Sequence, residues 1–156
     1  MDLNCSPLRR WCVNAVPGAL IVALVLFSTG CSGPPRGRIL SPLGWTDPID
    51  WTADDLGRDI AMRTLQETDE ASFHVVRLEG SERPHVHDRS DLTVFVLRGR
   101  VEMHLGSKER IVNPGDVIQV PRGTPHWARN VHPEASEAYV IFTPPTDGRD
   151  HRPVEP

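Results

Sequence analysis

The chain consists of short apolar or β-branched segments that are bounded on both sides by turn-forming residues. Residues 92–97 are almost wholly apolar, as in a buried strand, and residues 101–105 alternate apolar with polar side chains, as in a half-buried strand. Further segments of this kind lie at 72–78, 110–112, 117–120, 128–131 and 138–142. Glycine, proline, asparagine and aspartate separate them and mark turns. A series of about seven or eight short strands predicts a β-sandwich or a β-barrel.

One short helix is predicted before the strands. Thr52-Ala53-Asp54-Asp55 has the pattern of a capping box with Thr52 as the N-cap, and Gly57 keeps the helix short. The 15 prolines fall in clusters, which suits short strands and tight turns better than long helices. The formal net charge is −4, so the chain lacks the basic character that nucleic-acid binding requires, and we expect no nucleic-acid partner.

The N-terminal residues have the pattern of a targeting signal. Arg9 and Arg10 precede an apolar run over 19–27, which is too short for a membrane-spanning helix of about 20 residues. Ser28-Thr29-Gly30-Cys31 follows and resembles the lipobox of bacterial lipoproteins, with Ser28 where leucine is most common. The resemblance implies cleavage before Cys31 and a lipid on its thiol. The alternative is a plain secretory signal that is cut near Gly30 or Gly33.

These features divide the chain into four parts. Residues 1–30 are predicted to be a lipoprotein signal peptide, and residues 31–50 a lipidated Cys31 with a flexible tether. Residues 51–143 are predicted to form the β-barrel domain, and the proline-containing residues 144–156 a disordered tail. The protein is therefore expected in the bacterial cell envelope, anchored to a membrane through lipid and facing the periplasm or the cell exterior.

A group of histidines marks a candidate metal site. All three cysteines lie within the first 31 residues, so a metal in the domain must be held by histidine and carboxylate. On a strand, the side chains of His85 and His87 point to the same face and can meet one ion. Asp91, four residues beyond His87, is a candidate carboxylate ligand. Two histidines and a carboxylate commonly bind iron, manganese, zinc or nickel.

Gly115, Pro121, Gly123, His126 and Asn130 match G-x5-P-x-G-x2-H-x3-N, the second motif of the cupin family, at every fixed position. The first cupin motif, G-x5-H-x-H-x3,4-E-x6-G, resembles the residues around His85 and His87. Gly80 lies one residue too close to His85, Gly99 one residue too far from Asp91, and Asp91 replaces glutamate. This chain is thus similar to a small single-domain cupin. The resemblance implies a double-stranded β-helix, or jelly roll, with one metal ion held by His85, His87, Asp91 and His126.

The cupin resemblance leaves three functions open, because the fold hosts many chemistries. The first is a metal-dependent enzyme on a small molecule, such as a dioxygenase or an isomerase, whose catalytic residues the sequence does not identify. The second is a lipoprotein that binds or senses a small molecule without turnover, and the third is a structural barrel without metal. Trp127 and Arg122 are candidate ligand-binding residues. The expected cofactor is one divalent transition metal (iron, manganese, zinc or nickel), and the family resemblance makes a homodimer plausible.

Overall fold

The structure is a computed structural model that describes residues 37–42, 44–46 and 49–155. The predicted signal peptide and Cys31 lie outside these residues. The described part contains one helix, α1 (Ala53–Leu56). Its strands are β1 (Ile39–Ser41), β2 (Gly44–Thr46), β3 (Ile60–Glu67), β4 (Ser72–Leu78), β5 (His85–His87), β6 (Asp91–Arg98), β7 (Val101–Leu105), β8 (Lys108–Val112), β9 (Val117–Val120), β10 (His126–Asn130), β11 (Ser136–Thr143) and β12 (His151–Pro153). None of the described helical residues forms a segment with the length and apolar content needed to cross a membrane.

Ten of these strands form two five-stranded antiparallel sheets. The first has the order β12-β5-β10-β7-β8, and the second has the order β3-β4-β11-β6-β9. Among these ten, only β3–β4 and β7–β8 are consecutive strands that lie side by side; at every other step from β4 to β12 the chain crosses to the opposite sheet. This is the pattern of the double-stranded β-helix. The predicted all-β jelly-roll barrel with a short N-terminal helix is confirmed.

The core lies between the two sheets because side chains alternate along each strand. The inward residues of the central strands are apolar and form one buried cluster: Leu92, Val96, Met103, Ile118, Val120, Val140 and Phe142. In the near-continuous apolar run of β6, the inward positions begin at Leu92, whereas Phe95 faces outward and is 37% exposed.

The residues before the barrel are more ordered than a flexible tether. β1 and β2 pair as a hairpin inside the segment expected to be a tether over 31–50. Thr52 caps α1 as predicted: its hydroxyl accepts from the amide of Asp55, whose carboxylate accepts from the amide of Thr52. The indole of Trp51 donates to Glu137 in β11, at 3.1 Å. The Trp51 hydrogen bond attaches the residues just before α1 to the second sheet.

The turn between β6 and β7 requires glycine. Gly99 has a φ of +90°, and a Cβ at this position would lie 2.1 Å from Oγ and 2.7 Å from Cα of Ser136. The amide of Arg100 next to it donates to the same Ser136 hydroxyl. The motif glycine therefore lets this turn pack against the start of β11.

The C-terminal residues differ from the disordered tail that was expected over 144–156. Residues 151–153 form β12, which pairs antiparallel with β5. Arg152 makes two hydrogen bonds to the carboxylate of Asp88, at 2.8 and 2.9 Å, and the amide of Asp88 donates to the carbonyl of Asp150. This strand is held by pairing and charge rather than by an apolar face, and for that reason composition alone did not predict it.

Candidate metal centre

The register of the first sheet brings three histidines to one face. His126 in β10 is the direct cross-strand partner of His85 in β5, and His87 lies two residues further along β5 on the same side. The ring centroids of His85 and His126 are 4.3 Å apart, and those of His87 and His126 are 5.4 Å apart. One nitrogen of each ring lies within 4.8 Å of the others, and all three side chains are buried. The structure thus places His85, His87 and His126 together, as the motifs predicted.

Two of the rings are oriented by backbone carbonyls. Nδ1 of His85 lies 2.8 Å from the carbonyl oxygen of Arg83, and Nδ1 of His126 lies 2.9 Å from that of Thr124. A carbonyl only accepts, so each Nδ1 must carry the proton and donate it. This tautomer leaves the lone pair of Nε2 available on both rings, which is the form in which imidazole binds a metal.

The third ring faces a buried carboxylate. Nδ1 of His87 is buried and has no hydrogen-bond partner among the described residues, but it lies 3.8 Å from Oδ2 of Asp150. The Asp150 side chain is 1% exposed, and it accepts from the amides of Arg89 and Ser90. Burial raises the pKa of Asp150, but these hydrogen bonds outweigh burial and hold it below its usual value. Asp150 is therefore an anion directed at the outer nitrogen of His87.

The histidines are neutral at physiological pH. Burial, with the neighbouring imidazoles as a smaller cause, lowers the pKa of His85 and of His87 to about 4. Burial also lowers the pKa of His126. Metal coordination requires the neutral ring, so the site does not have to lose protons before it binds an ion. Three buried, neutral imidazoles that lack a mutual hydrogen bond among the described residues fit a divalent transition metal.

A fourth histidine adjoins the cluster. His151 in β12 pairs with His87 across the sheet, and its ring stacks on that of His85 with centroids 4.2 Å apart and an interplanar angle of 25°. Neither His151 nor Asp150 was predicted to belong to the site, because the tail that carries them has no strand pattern. The only sequence signal is an Asp-His pair between two arginines, which by itself is weak.

Asp91, the fourth predicted ligand, is not brought to the histidines. Its carboxylate accepts from the backbone amide of Arg122 at 2.8 Å and from the Arg122 guanidinium at 2.8 and 3.2 Å. These hydrogen bonds, with the guanidinium charge, lower the pKa of Asp91 to about 2. Strand alternation explains the difference, because the inward position at this end of β6 belongs to Leu92.

The two predicted ligand-binding residues also lie outside the cavity. Arg122 is half exposed, and its guanidinium forms an ion pair with the carboxylate of Asp91. Trp127 alternates with His126 on β10 and points to the outer face of the sheet, where it stacks on His104 with ring centroids 4.2 Å apart and an interplanar angle of 8°. His104 forms a second histidine-carboxylate group with Glu102 and Glu109. The Arg129 guanidinium donates to both carboxylate oxygens of Glu102, so its positive charge offsets the negative charge of Glu102.

The buried histidines open onto a cavity of about 630 Å³ between the sheets. This volume is in the range of small-molecule sites, about 300–1,000 Å³. Glu82, from the segment between β4 and β5, also lines the cavity, and burial raises its pKa to about 7. A carboxyl group with that pKa can both accept and donate a proton near neutral pH. The sequence analysis did not single out Glu82, since a lone glutamate in a loop carries no signal.

Residues 73–142 match the family described as "Cupin domain". This segment contains both histidine motifs but ends before Asp150 and His151. The match therefore covers the three clustered histidines and does not cover the C-terminal strand that completes their surroundings.

Known proteins resemble this chain in sequence or in fold. An uncharacterised protein of Aquifex aeolicus (strain VF5) is 37% identical over 97 residues, which are 62% of this chain and 79% of that protein. The solved structure of KdgF from Halomonas sp. is 29% identical with a TM-score of 0.57, over 64% of this chain and 91% of that chain. Pac13 of Streptomyces, described as a nucleoside dehydratase, is 23% identical with a TM-score of 0.54, over 62% of this chain and 79% of that chain. At that identity, the likeness to Pac13 is one of fold.

Proposed function

Because this chain belongs to the cupin superfamily, we propose that it binds one divalent transition metal through His85, His87 and His126 and holds a small organic molecule beside that ion. The observation that carries the proposal is the set of three buried, neutral imidazoles at the wall of a cavity. Iron, manganese, zinc and nickel all suit such ligands. Asp91 is not part of the proposed ligand set.

The residues around the proposed ion determine what the site can do. Held by these three imidazoles, a divalent ion would supply Lewis acidity toward an oxygen atom of a bound molecule. Leu92 occupies the inward position next to Asp91, so the Asp91 carboxylate of β6 does not face the proposed ion. Glu82 lines the same cavity and is able to exchange a proton with a bound molecule. This observation favours an isomerase-like or other proton-transfer enzyme as a second candidate, over a sensor without turnover.

Metal analysis tests the proposed site. We expect near-stoichiometric metal by mass spectrometry on the purified protein and strong loss of that metal in His126→Ala, because two imidazoles alone hold a divalent ion weakly. His132→Ala is the matched control, since His132 hydrogen-bonds to Glu134 in a loop outside the cluster. The proposal fails if the wild-type protein takes up none of iron, manganese, zinc or nickel on reconstitution, or if His126→Ala retains as much metal as His132→Ala.

We further propose that the domain is attached to a membrane surface by lipid on Cys31. The support is the order of the N-terminal residues: Arg9 and Arg10, an apolar run over 19–27, and a cysteine directly after small residues. We expect metabolic labelling with radioactive palmitate to mark the wild-type protein but not Cys31→Ser, with Cys12→Ser labelled like the wild type. Equal labelling of Cys31→Ser, or an unlabelled protein whose mature N-terminus lies near Gly30 or Gly33, would support a plain secretory signal instead.

A further inference from the structure

The cavity has polar residues at two ends and an apolar wall between them. The histidines lie toward the end of the barrel where His126 pairs with Leu105 at the last residue of β7. At the first residue of β7, Val101 pairs with Asn130. Apart from Thr146, the other polar lining residues belong to this second end and the β4–β5 segment. They are Asp59, Ser81, Glu82, Arg83, Ser136 and Glu137.

The wall between these ends has no hydrogen-bonding side chain among the described residues that line it. Strands β6, β7, β9 and β11 contribute alternate residues to it, and in their central parts these residues are all aliphatic or methionine. The central lining residues are Val94, Val96, Met103, Ile118, Ala138 and Val140. Their backbone groups are paired within the two sheets and so are not available to a ligand.

A polyhydroxylated molecule in this cavity would give up its hydrogen bonds to water and find few replacements along the wall. An apolar body would gain by leaving water and would meet only apolar side chains. At the histidine end, a ligand can offer an oxygen donor to the proposed ion. The chemistry of the cavity therefore selects for a ligand with an oxygen-donor head at the histidines and an apolar body along the wall.

We propose that the cavity binds a predominantly apolar organic molecule that carries an oxygen-donor head group, with the head at the three histidines and the body along the aliphatic wall. The inference rests on the proposed metal site for the head group and on the wall residues for the body. The proposed substrates or ligands are apolar carboxylates and related oxyanions, and sugars and other polyols of similar size are excluded.

Calorimetric titration of the zinc-loaded protein with two probes tests this proposal. Octanoate, with eight carbons, and gluconate, with six, each carry one carboxylate, but only gluconate is hydroxylated along its chain. We expect octanoate to bind at least about tenfold more tightly, since each buried methylene favours binding and each unpaired hydroxyl opposes it. Gluconate binding as tightly as octanoate, or binding of neither probe by zinc-loaded protein, would overturn the inferred ligand class.

Two variants test whether the preference for octanoate depends on the aliphatic wall of the cavity. Val140→Thr replaces a methyl group with a hydroxyl in the cavity wall, whereas Val75→Thr makes the same change at a fully buried residue that does not line the cavity. We expect Val140→Thr to weaken octanoate binding several-fold with little effect on gluconate, and Val75→Thr to change neither. Equal effects of both variants would overturn the assignment of the body to this wall.

The same titration on metal-free protein, read together with zinc uptake, separates the proposed ligand class from the proposed metal site. Zinc uptake without an octanoate preference overturns the ligand class and leaves the metal site standing. An octanoate preference in a protein that takes up no metal supports the apolar cavity and overturns the metal site. A protein that neither takes up zinc nor prefers octanoate overturns both.

Discussion

At the residue scale, His87 differs from His85 and His126 in the group that faces its Nδ1 atom. His85 and His126 donate to backbone carbonyls, whereas Nδ1 of His87 faces the buried carboxylate of Asp150 at 3.8 Å. A carboxylate behind a ligating imidazole fixes its orientation and raises its basicity. A full negative charge does this more strongly than a carbonyl dipole. Asp150 is thus a buried anionic group that lies against the three-histidine cluster.

Replacement of Asp150 by asparagine should weaken metal binding. We expect the dissociation constant for zinc to rise about 10- to 100-fold in Asp150→Asn, the usual effect of losing such a partner. Competition against a chromophoric chelator measures this change. The absorption spectrum of the cobalt-loaded protein provides a second readout, because it should shift when the charge behind His87 is removed.

Asp147→Asn is the matched control for this experiment. Asp147 lies on the same segment and also pairs with Arg89, but its carboxylate is half exposed, whereas that of Asp150 is buried. We expect it to leave zinc affinity and the cobalt spectrum unchanged. Since Asp150 also accepts from two backbone amides, the melting temperature of each metal-free variant is compared; a lower melting temperature with unchanged zinc affinity and spectrum would show that Asp150 is only structural.

At the scale of single elements, the structure shows which parts of the site could be predicted from the sequence. The three histidines were predictable, because the i, i+2 spacing in β5 and the fixed spacing of the second motif both survive in the strands. Which side chains of β6 point into the barrel was not predictable. Leu-Thr-Val-Phe-Val-Leu shows no clear alternation, so nothing in it tells whether Asp91 or Leu92 points inward. Only the register of β6 against β9 and β11 settles this.

The two terminal elements escaped prediction for a different reason. The strands β1, β2 and β12 are each three residues long and lack an apolar face of their own. β12 depends on partners far along the chain, such as Asp88, which pairs with Arg152, and just before β1 the amide of Gly37 donates to the carbonyl of Leu97. Sequence patterns report local periodicity and capping, which is why the four-residue helix α1 was found and these strands were not.

At the scale of the whole molecule, the buried histidines link folding to pH. His74, His85, His87 and His126 all have lowered pKa values, chiefly through burial. In the unfolded chain these rings take up protons below about pH 6.5, whereas His85 and His87 in the folded state resist protonation down to about pH 4. The unfolded state therefore binds more protons in this interval, and stability present at pH 7 is lost as the pH falls through it. Asp150 and His151 face these rings, and their charges modulate the effect.

The metal-free protein should become less stable between pH 6.5 and about 4.5. Each pH unit costs about 1.4 kcal/mol for each histidine that stays neutral. Glu82 acts in the opposite sense, since its raised pKa lets the folded state take up a proton before the unfolded state does. Urea unfolding at a series of pH values measures the slope. We expect His87→Gln to make the slope shallower and Glu82→Gln to make it steeper.

Opposite or absent changes in those two variants would contradict the assignment of buried, neutral histidines and a protonated Glu82. Asp55 and Asp91 do not interfere in this interval. Their pKa values are lowered to about 2, so the stability they confer is lost only below the unfolded value of 3.8. The change in unfolding free energy between pH 6.5 and 4.5 thus reflects mainly the titratable groups inside the barrel.

The junction between β5 and β10 has a consequence for how metal binding and folding are linked. These strands share a single ladder pair, His126 with His85, and β12 covers the other edge of β5. An ion held by His85, His87 and His126 would join β5 to β10 at that pair. Because only the folded chain brings the two strands together, an ion bound there would stabilise the folded state in proportion to its affinity and concentration.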